Sequence, residues 1–167
     1  MPYTTVTSVV AGNKGTATWG NEVADAIGEL QVAVPEAVTT WPTPINGGIT
    51  AGDGTTVARY AQVGPVTFCY FKFTLGATSA ITGDVSLLLP AVTTVQRLMG
   101  NAYYEDASAG TARTLGVAIQ LGANNTVILR FGDASTTELG ETALSSTAPF
   151  TWATGDIIVV NFWYFHV

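Results

Sequence analysis

Charged side chains are scarce in this sequence of 167 residues. They make up 11% of it, against roughly 25% in an average soluble domain. A surface with so few charges is weakly protected against association, which favours an oligomer or a part of a larger assembly over a free monomer. The charges that are present sum to −6. Because binding to a phosphate backbone requires clustered basic residues, this balance argues against a nucleic-acid partner.

Cysteine and histidine are each present only once, as Cys69 and His166. One cysteine excludes an internal disulfide and every cysteine-based zinc site, and one histidine leaves no cluster that could hold a metal ion or complete a usual catalytic triad. The adjacent carboxylates Glu105 and Asp106 would point to opposite faces of a strand. The sequence therefore predicts a non-enzymatic protein without a catalytic site, a metal site or a cofactor. It leaves open whether a turn aspartate binds calcium, for which no spacing motif is present.

A secretion signal and a membrane-spanning run are also missing. The amino end, from Met1 to Thr5, has neither the basic nor the apolar region of a signal peptide. The apolar run at the carboxyl end is shorter than the roughly 20 residues that a membrane helix needs. We therefore expect a protein that folds in a cytosol and does not insert into membranes.

That carboxyl-terminal run, from Gly155 to Val167, is the most distinctive stretch of the chain. After the turn pair Gly155-Asp156, its odd and even positions are both apolar apart from Asn161 and His166, whereas a strand with one solvated face alternates apolar and polar residues. This pattern predicts a central strand with both faces covered. One face would lie on the core and the other on a neighbouring subunit or on more of the same chain, alternatives that periodicity does not separate. We expect Phe162 and Tyr164 at a subunit interface.

The amino-terminal 36 residues are predicted to serve attachment and trimerisation. Residues 1 to 18 form an extended arm of threonines and valines, and such a segment becomes ordered only when its backbone finds a partner. We expect the arm to bind that partner through Tyr3, Thr5, Val6, Val9 and Val10.

A short helix is predicted from Asn21 to Leu30, with Asn21 as its N-cap and Pro35 as its limit. Its apolar residues follow the four-three-four spacing of a coiled-coil seam, which is too short to be stable alone. The seam could pack on the protein's own sandwich or meet its copies on a symmetry axis. The second arrangement is expected, and it assigns to a trimer interface Val23, Ile27, Leu30 and Val34.

Residues 37 to 167 alternate between short apolar segments and turns rich in glycine, proline and asparagine. The predicted strands are Thr55 to Val63, Val66 to Leu75, Asp84 to Leu89, Leu98 to Asp106, Thr111 to Leu121, Thr126 to Phe131, Glu138 to Leu144 and Asp156 to Val167. About eight strands at this spacing predict an all-β fold, an antiparallel, jelly-roll-like β-sandwich. It forms one domain, 37–167, preceded by the arm and helix, 1–36.

Aromatic residues are spread along the chain and allow two interpretations. Their faces could form a sugar-stacking surface, but aromatics also fill sandwich cores and subunit interfaces. The residues concerned are Trp41, Tyr60, Tyr103, Tyr104, Trp152 and Trp163. Since they do not cluster in the sequence, core filling is favoured.

A pattern of spaced turn and core residues runs through roughly the first 90 positions. Its members are Val10-Ala11-Gly12, Thr16-Ala17, Trp19, Asn21, Val23, Leu30, Trp41-Pro42-Thr43-Pro44, Gly54, Tyr60, Gly64, Val66, Phe68, Gly76, Gly83 and Leu89-Pro90. In this order they resemble a family of small virion surface proteins of tailed bacteriophages, in which a short amino-terminal segment precedes a β-sandwich that assembles as a trimer. Pro65 departs from the pattern, which has a lysine before the strand.

The resemblance implies a homotrimer that is made in the host bacterial cytoplasm and belongs to the virion surface. Family members serve as capsid decoration proteins, fibre tips or receptor-binding knobs. Because no long shaft is visible here, we expect a decoration protein on the capsid exterior that attaches to the major capsid protein. The alternative is a receptor-binding or fibre-tip protein of the tail that binds host surface glycan, and a glycan hydrolase ranks third.

Overall fold

A computed structural model describes residues 38–90, 98–110, 112–120, 125–133 and 140–165. These ranges are all-β and contain no helix. Their ten strands are β1 (Thr39–Thr40), β2 (Ile45–Thr50), β3 (Thr55–Val63), β4 (Val66–Thr74), β5 (Ala80–Leu88), β6 (Met99–Asp106), β7 (Ala112–Ile119), β8 (Thr126–Asp133), β9 (Gly140–Ala143) and β10 (Ile157–Phe165). The predicted arm, helix and seam, all within residues 1–36, lie outside the described residues, as does His166.

The eight predicted strands are confirmed as β3 to β10, with some of their ends shifted. Strands β1 and β2 are not indicated by the sequence pattern. Strand β2 contains Gly47 and Gly48, and its pairing with β5 is irregular on both sides of Gly47. Gly48 has a φ of 76°, and a Cβ atom there would lie 2.7 Å from the Cα of Val85. Only glycine fits this bulge, so residues typical of a turn occur inside a strand.

All ten strands belong to one antiparallel sheet with the order β1-β3-β4-β10-β6-β7-β8-β5-β2, and β9 pairs with β8. If the sheet were flat, its edge strands would be about 38 Å apart at 4.8 Å per strand. The edge strands β1 and β2 are joined by residues 41–44 alone, which span at most about 18 Å. The sheet must therefore curl until its edges approach each other, and its hydrogen bonds form one curled sheet where two were predicted.

The curled sheet encloses one hydrophobic core on its concave side. Trp41, in the link between the two edges, packs edge-on against Phe71 of β4 and Phe162 of β10, with ring centroids 6.3 and 6.0 Å away. Tyr104 is fully buried on β6, and its hydroxyl donates a 2.9 Å hydrogen bond to the carbonyl oxygen of Arg130. The polar atom that this tyrosine brings into the core is thus satisfied.

Strand β10 lies inside the sheet, paired with β4 on one side and β6 on the other. This confirms that the carboxyl-terminal run is a central strand. The side chains of Phe162 and Tyr164 are only 4% and 2% exposed, because they point into the chain's own core. Their assignment to a subunit interface is corrected accordingly. The opposite face of β10 carries Trp163 and Phe165, which are 51% and 49% exposed.

Candidate functional site

A groove of about 530 Å³ crosses the outer, convex side of the sheet over β3, β4, β10 and β6. We call it the outer-face groove and define it by the outward-facing residues Arg59, Phe68, Tyr70, Asn101, Asn161 and Trp163. They belong to four neighbouring strands, so their arrangement depends on strand register and not on any local loop.

A polar row forms the middle of the groove. The register places Arg59 opposite Tyr70, Tyr70 opposite Asn161, and Asn161 opposite Asn101. Directly opposed residues on one sheet face have Cβ atoms about 5 Å apart, so the four side chains form a continuous line. The two asparagines are exposed, and their amides face solvent in the centre of the sheet.

An aromatic wall borders this row. Trp163 of β10 lies opposite Phe68 of β4, two residues farther along each strand than the polar row and therefore about 7 Å from it. Both rings are about half exposed, at 51% and 49%. Phe165 packs edge-on against Trp163, with ring centroids 5.5 Å apart and an interplanar angle of 86°. This contact fixes the orientation of the indole beside the groove.

The groove has a local positive charge on an acidic protein. Of the residues that the structure describes, no aspartate or glutamate lines it. The Nη1 atom of Arg59 donates hydrogen bonds to the Oγ1 atom of Thr40 at 3.2 Å and to the carbonyl oxygen of Ala58 at 3.1 Å. These bonds hold the guanidinium at the edge of the groove, and its other N–H groups can serve a ligand because arginine has five donors. Within the described residues, Arg59 forms no salt bridge.

The aromatic residues singled out from the sequence are dispersed by the fold. Trp41 and Tyr104 are buried, Tyr60, Tyr103 and Trp152 are half-buried, and Trp163 is exposed. Core filling is thus the main role of this set, as favoured. The aromatic groove partners Phe68 and Tyr70 were missed, because only the pairing of β4 with β10 brings them beside Trp163.

The carboxylates examined as a candidate acid and base have local structural partners. Glu105 accepts a 2.8 Å hydrogen bond from the Nε atom of Arg113. Asp106 accepts bonds from the backbone N–H and the hydroxyl of Ser108 at 2.9 and 2.6 Å, and these bonds, the hydroxyl first, lower the pKa of Asp106. The two carboxylates therefore do not act on a common point.

Two buried groups also serve the fold. Asp156 is fully buried and accepts hydrogen bonds from the backbone N–H groups of Ala107 at 2.9 Å and Ala153 at 2.7 Å. Burial raises the pKa of the Cys69 thiol to about 12, so the thiol stays protonated and is a poor nucleophile at neutral pH.

In the described ranges no three histidine, cysteine, aspartate or glutamate residues come together as metal ligands. The same ranges hold no helix long and apolar enough to cross a lipid bilayer.

The chain matches no protein-family model, no curated protein and no solved structure. Its function must therefore be argued from its own residues. The observations that bear on function are the incompletely covered outer face of the sheet and the groove that crosses it.

Proposed function

We propose that this protein is a non-enzymatic structural protein of a bacteriophage virion, a homotrimer that decorates the capsid exterior and attaches to the major capsid protein. The observation that carries the proposal is the uncovered outer face of the sheet. Six large apolar side chains are between 39% and 78% exposed in the described residues: Val38, Val57, Phe68, Leu115, Trp163 and Phe165. Exposed apolar surface of this kind marks association sites, and the 11% content of charged residues favours association too.

The edges of the sheet are poorly suited to pairing with another chain, so association is expected through the sheet face. Edge strand β1 has only two residues, and edge strand β2 is interrupted by irregular pairing. Short and bulged edges resist edge-to-edge pairing. A contact between subunits is therefore best made through outward apolar residues such as Leu115 and Val57. Closed cyclic symmetry covers such residues without leaving an adhesive surface free, and the resemblance to phage surface proteins supports three copies.

The same proposal describes residues 37–167 as a jelly-roll-like sandwich, in which the two halves of the curled sheet take the place of two packed sheets. Inward residues from both halves of the sheet share one core, which supports this description: Phe71 and Phe162 come from one half, and Leu87 and Leu129 from the other. Residues 1–36 then remain the segment for attachment and trimerisation, as in the family that the sequence resembles.

Sedimentation equilibrium and capsid binding test the proposal in two steps. The purified protein should be a trimer at micromolar concentration, and Leu115→Asp should shift it toward monomer without unfolding it, because Leu115 is 78% exposed. Deletion of residues 2–15 should leave the trimer intact but abolish its co-sedimentation with undecorated capsids. A monomeric wild-type protein, or a deletion variant that still binds capsids normally, would contradict the corresponding step.

The outer-face groove favours a second candidate function, that of a receptor-binding or fibre-tip protein of the tail that binds host surface glycan. A decoration protein needs no groove of mixed aromatic and amide character facing solvent. The number of copies per virion separates the two functions, since it is high for a decoration protein and low for a tail tip. Quantitative mass spectrometry of purified virions measures it.

A further inference from the structure

We infer that the outer-face groove binds a segment of an acidic polysaccharide whose sugar units carry carboxylates. In this arrangement one sugar ring stacks on Trp163, hydroxyls bond to the asparagine amides, and the carboxylate of a neighbouring sugar unit pairs with Arg59. The inference rests on the second candidate function and names its ligand class.

The first support is the aromatic wall. One face of a pyranose ring consists of C–H groups and packs well on an exposed aromatic ring. Trp163 is half exposed, and Phe165 holds its indole edge-on from the side away from the polar row. Phe68 extends the wall onto the next strand. An aromatic surface held in place before binding loses little conformational entropy when a ligand stacks on it.

The second support is the pair of opposed asparagines. Asparagine is depleted in strands, yet Asn161 interrupts the otherwise apolar run of β10 and lies directly opposite Asn101. Each amide offers both donors and an acceptor, and each sugar hydroxyl likewise donates and accepts. Neighbouring hydroxyls on a pyranose therefore match two neighbouring amides better than an apolar or purely cationic ligand would.

The third support is the charge of the groove. Arg59 lies at its edge, anchored by Thr40 and the backbone of Ala58, and the described residues that line the groove include no carboxylate. A hydrogen bond between a guanidinium and a carboxylate is among the stronger kinds. A protein with a net charge of −6 would otherwise repel an acidic polymer, so Arg59 provides the local attraction that selects one.

A second copy of the chain fits this particular surface poorly. An apolar contact over the groove would bury the amides of Asn101 and Asn161 and the charge of Arg59, whose remaining N–H groups it would leave without acceptors, and this opposes association. A hydroxylated ligand satisfies these groups. The groove volume of about 530 Å³ also falls within the range of about 300–1,000 Å³ that is usual for small-ligand sites.

Isothermal titration of the full-length protein with trigalacturonic acid and with its methyl ester tests the inference. The two probes share the sugar rings and differ in charge. We expect the acid to bind at least 10-fold more tightly than the ester and to change the indole fluorescence. Equal affinities, or no binding of the acid, would overturn the inference. Neither result would affect the sedimentation and capsid-binding tests of the decoration proposal.

Substitutions at the groove residues then show which part of the ligand each side chain contacts. Trp163→Ala should weaken binding of both probes at least 10-fold, whereas Arg59→Gln should reduce the acid to the affinity of the ester and leave the ester unchanged. Asn161→Ala should weaken both probes. Arg113→Gln removes a cation from the same sheet face, where Arg113 pairs with Glu105 outside the groove, and serves as the matched control with unchanged affinity.

Circular dichroism checks that each variant is folded, and Phe68→Ser replaces Trp163→Ala if the latter does not fold. Undiminished binding by the folded aromatic variant, or a uniform loss in Arg59→Gln, would contradict the assigned geometry.

Discussion

The two faces of β10 differ although the sequence makes both of them apolar. On the inner face the side chains of Ile158, Val160, Phe162 and Tyr164 are at most 4% exposed. On the outer face Trp163 and Phe165 stay about half exposed, with Asn161 exposed before them. Among the described residues, the inner face is covered by the chain's own core, whereas on the outer face Val159 is buried at 3% exposure and the residues after it are not. The same apolar strand thus packs into the core on one side and keeps two large aromatic rings exposed on the other.

The largest expected difference in stability is between two variants that each lose one aromatic ring, one from each face of β10. Phe162→Ala should lower the free energy of unfolding by about 3–5 kcal/mol, since it opens a cavity in the core. Phe165→Ala, three residues away on the exposed face, should lower it by less than about 1 kcal/mol. Urea unfolding followed by circular dichroism measures both. Similar losses in the two variants would show that the outer face is covered within the subunit.

The reactivity of a thiol provides a second comparison of the inner and outer faces, on β4. Because burial raises the pKa of Cys69 to about 12, the folded protein should hold more than about a thousandfold less thiolate at pH 8 than an ordinary exposed cysteine does. Native Cys69 should therefore react very slowly with a thiol-labelling reagent. In Phe68→Cys, Cys69→Ser the thiol is on the outer face and should react at an ordinary rate. The two proteins should react alike in urea, and rapid labelling of native Cys69 would contradict its burial.

Two glycines provide the next test. Gly116 of β7 faces inward, and a Cβ atom there would lie 2.5 Å from the Cε2 atom of Tyr104 and would also clash with the carbonyl oxygen of Arg130. We expect Gly116→Ala to cost about 1–3 kcal/mol of stability by overpacking. Gly132 of β8 has open space around its Cα, so Gly132→Ala should be neutral or stabilise by up to about 1 kcal/mol. Thermal unfolding compares them, and an unchanged Gly116→Ala would exclude the close packing of Tyr104.

The smallest effect concerns a turn outside both faces. Asp53 accepts hydrogen bonds from the backbone N–H of Thr78 at 2.8 Å and from its hydroxyl at 2.9 Å, and these bonds hold the pKa of Asp53 below its ordinary value of 3.8. The stabilisation is therefore present above pH 3.8 and is lost as the pH falls through the lower, folded value.

Unfolding by urea between pH 2 and pH 5 should show a shallower decline for Asp53→Asn than for the wild type. Glu141→Gln, at an exposed position, controls for the removal of one carboxylate. Identical pH profiles of Asp53→Asn and the wild type would contradict a contribution from the turn.

The sequence predicts the strands well where local signals agree and fails where pairing decides. The bounds of β3 were correct because turn residues flank it on both sides. The assignment of Phe162 and Tyr164 to an interface was wrong because a strand that is apolar on both faces does not indicate which face is inward. Strand β2 was missed because its glycines serve a bulge. The outer-face groove could not be predicted, since Trp163 and Phe68 are distant in sequence and meet only through the register of β10 with β4.

The central position of β10 also bears on how the protein is made. Strands β4 and β6 are not paired with each other and are joined through β10, which follows them by dozens of residues in the chain. Contacts so distant in sequence form slowly, and until β10 is synthesised two interior strands keep open hydrogen-bonding edges. A nascent or broken chain without residues 157–165 would thus expose adhesive strands and be removed by chaperones and proteases. Only a chain that contains β10 can hide those edges, so a truncated chain is kept out of the folded population by the strand order itself.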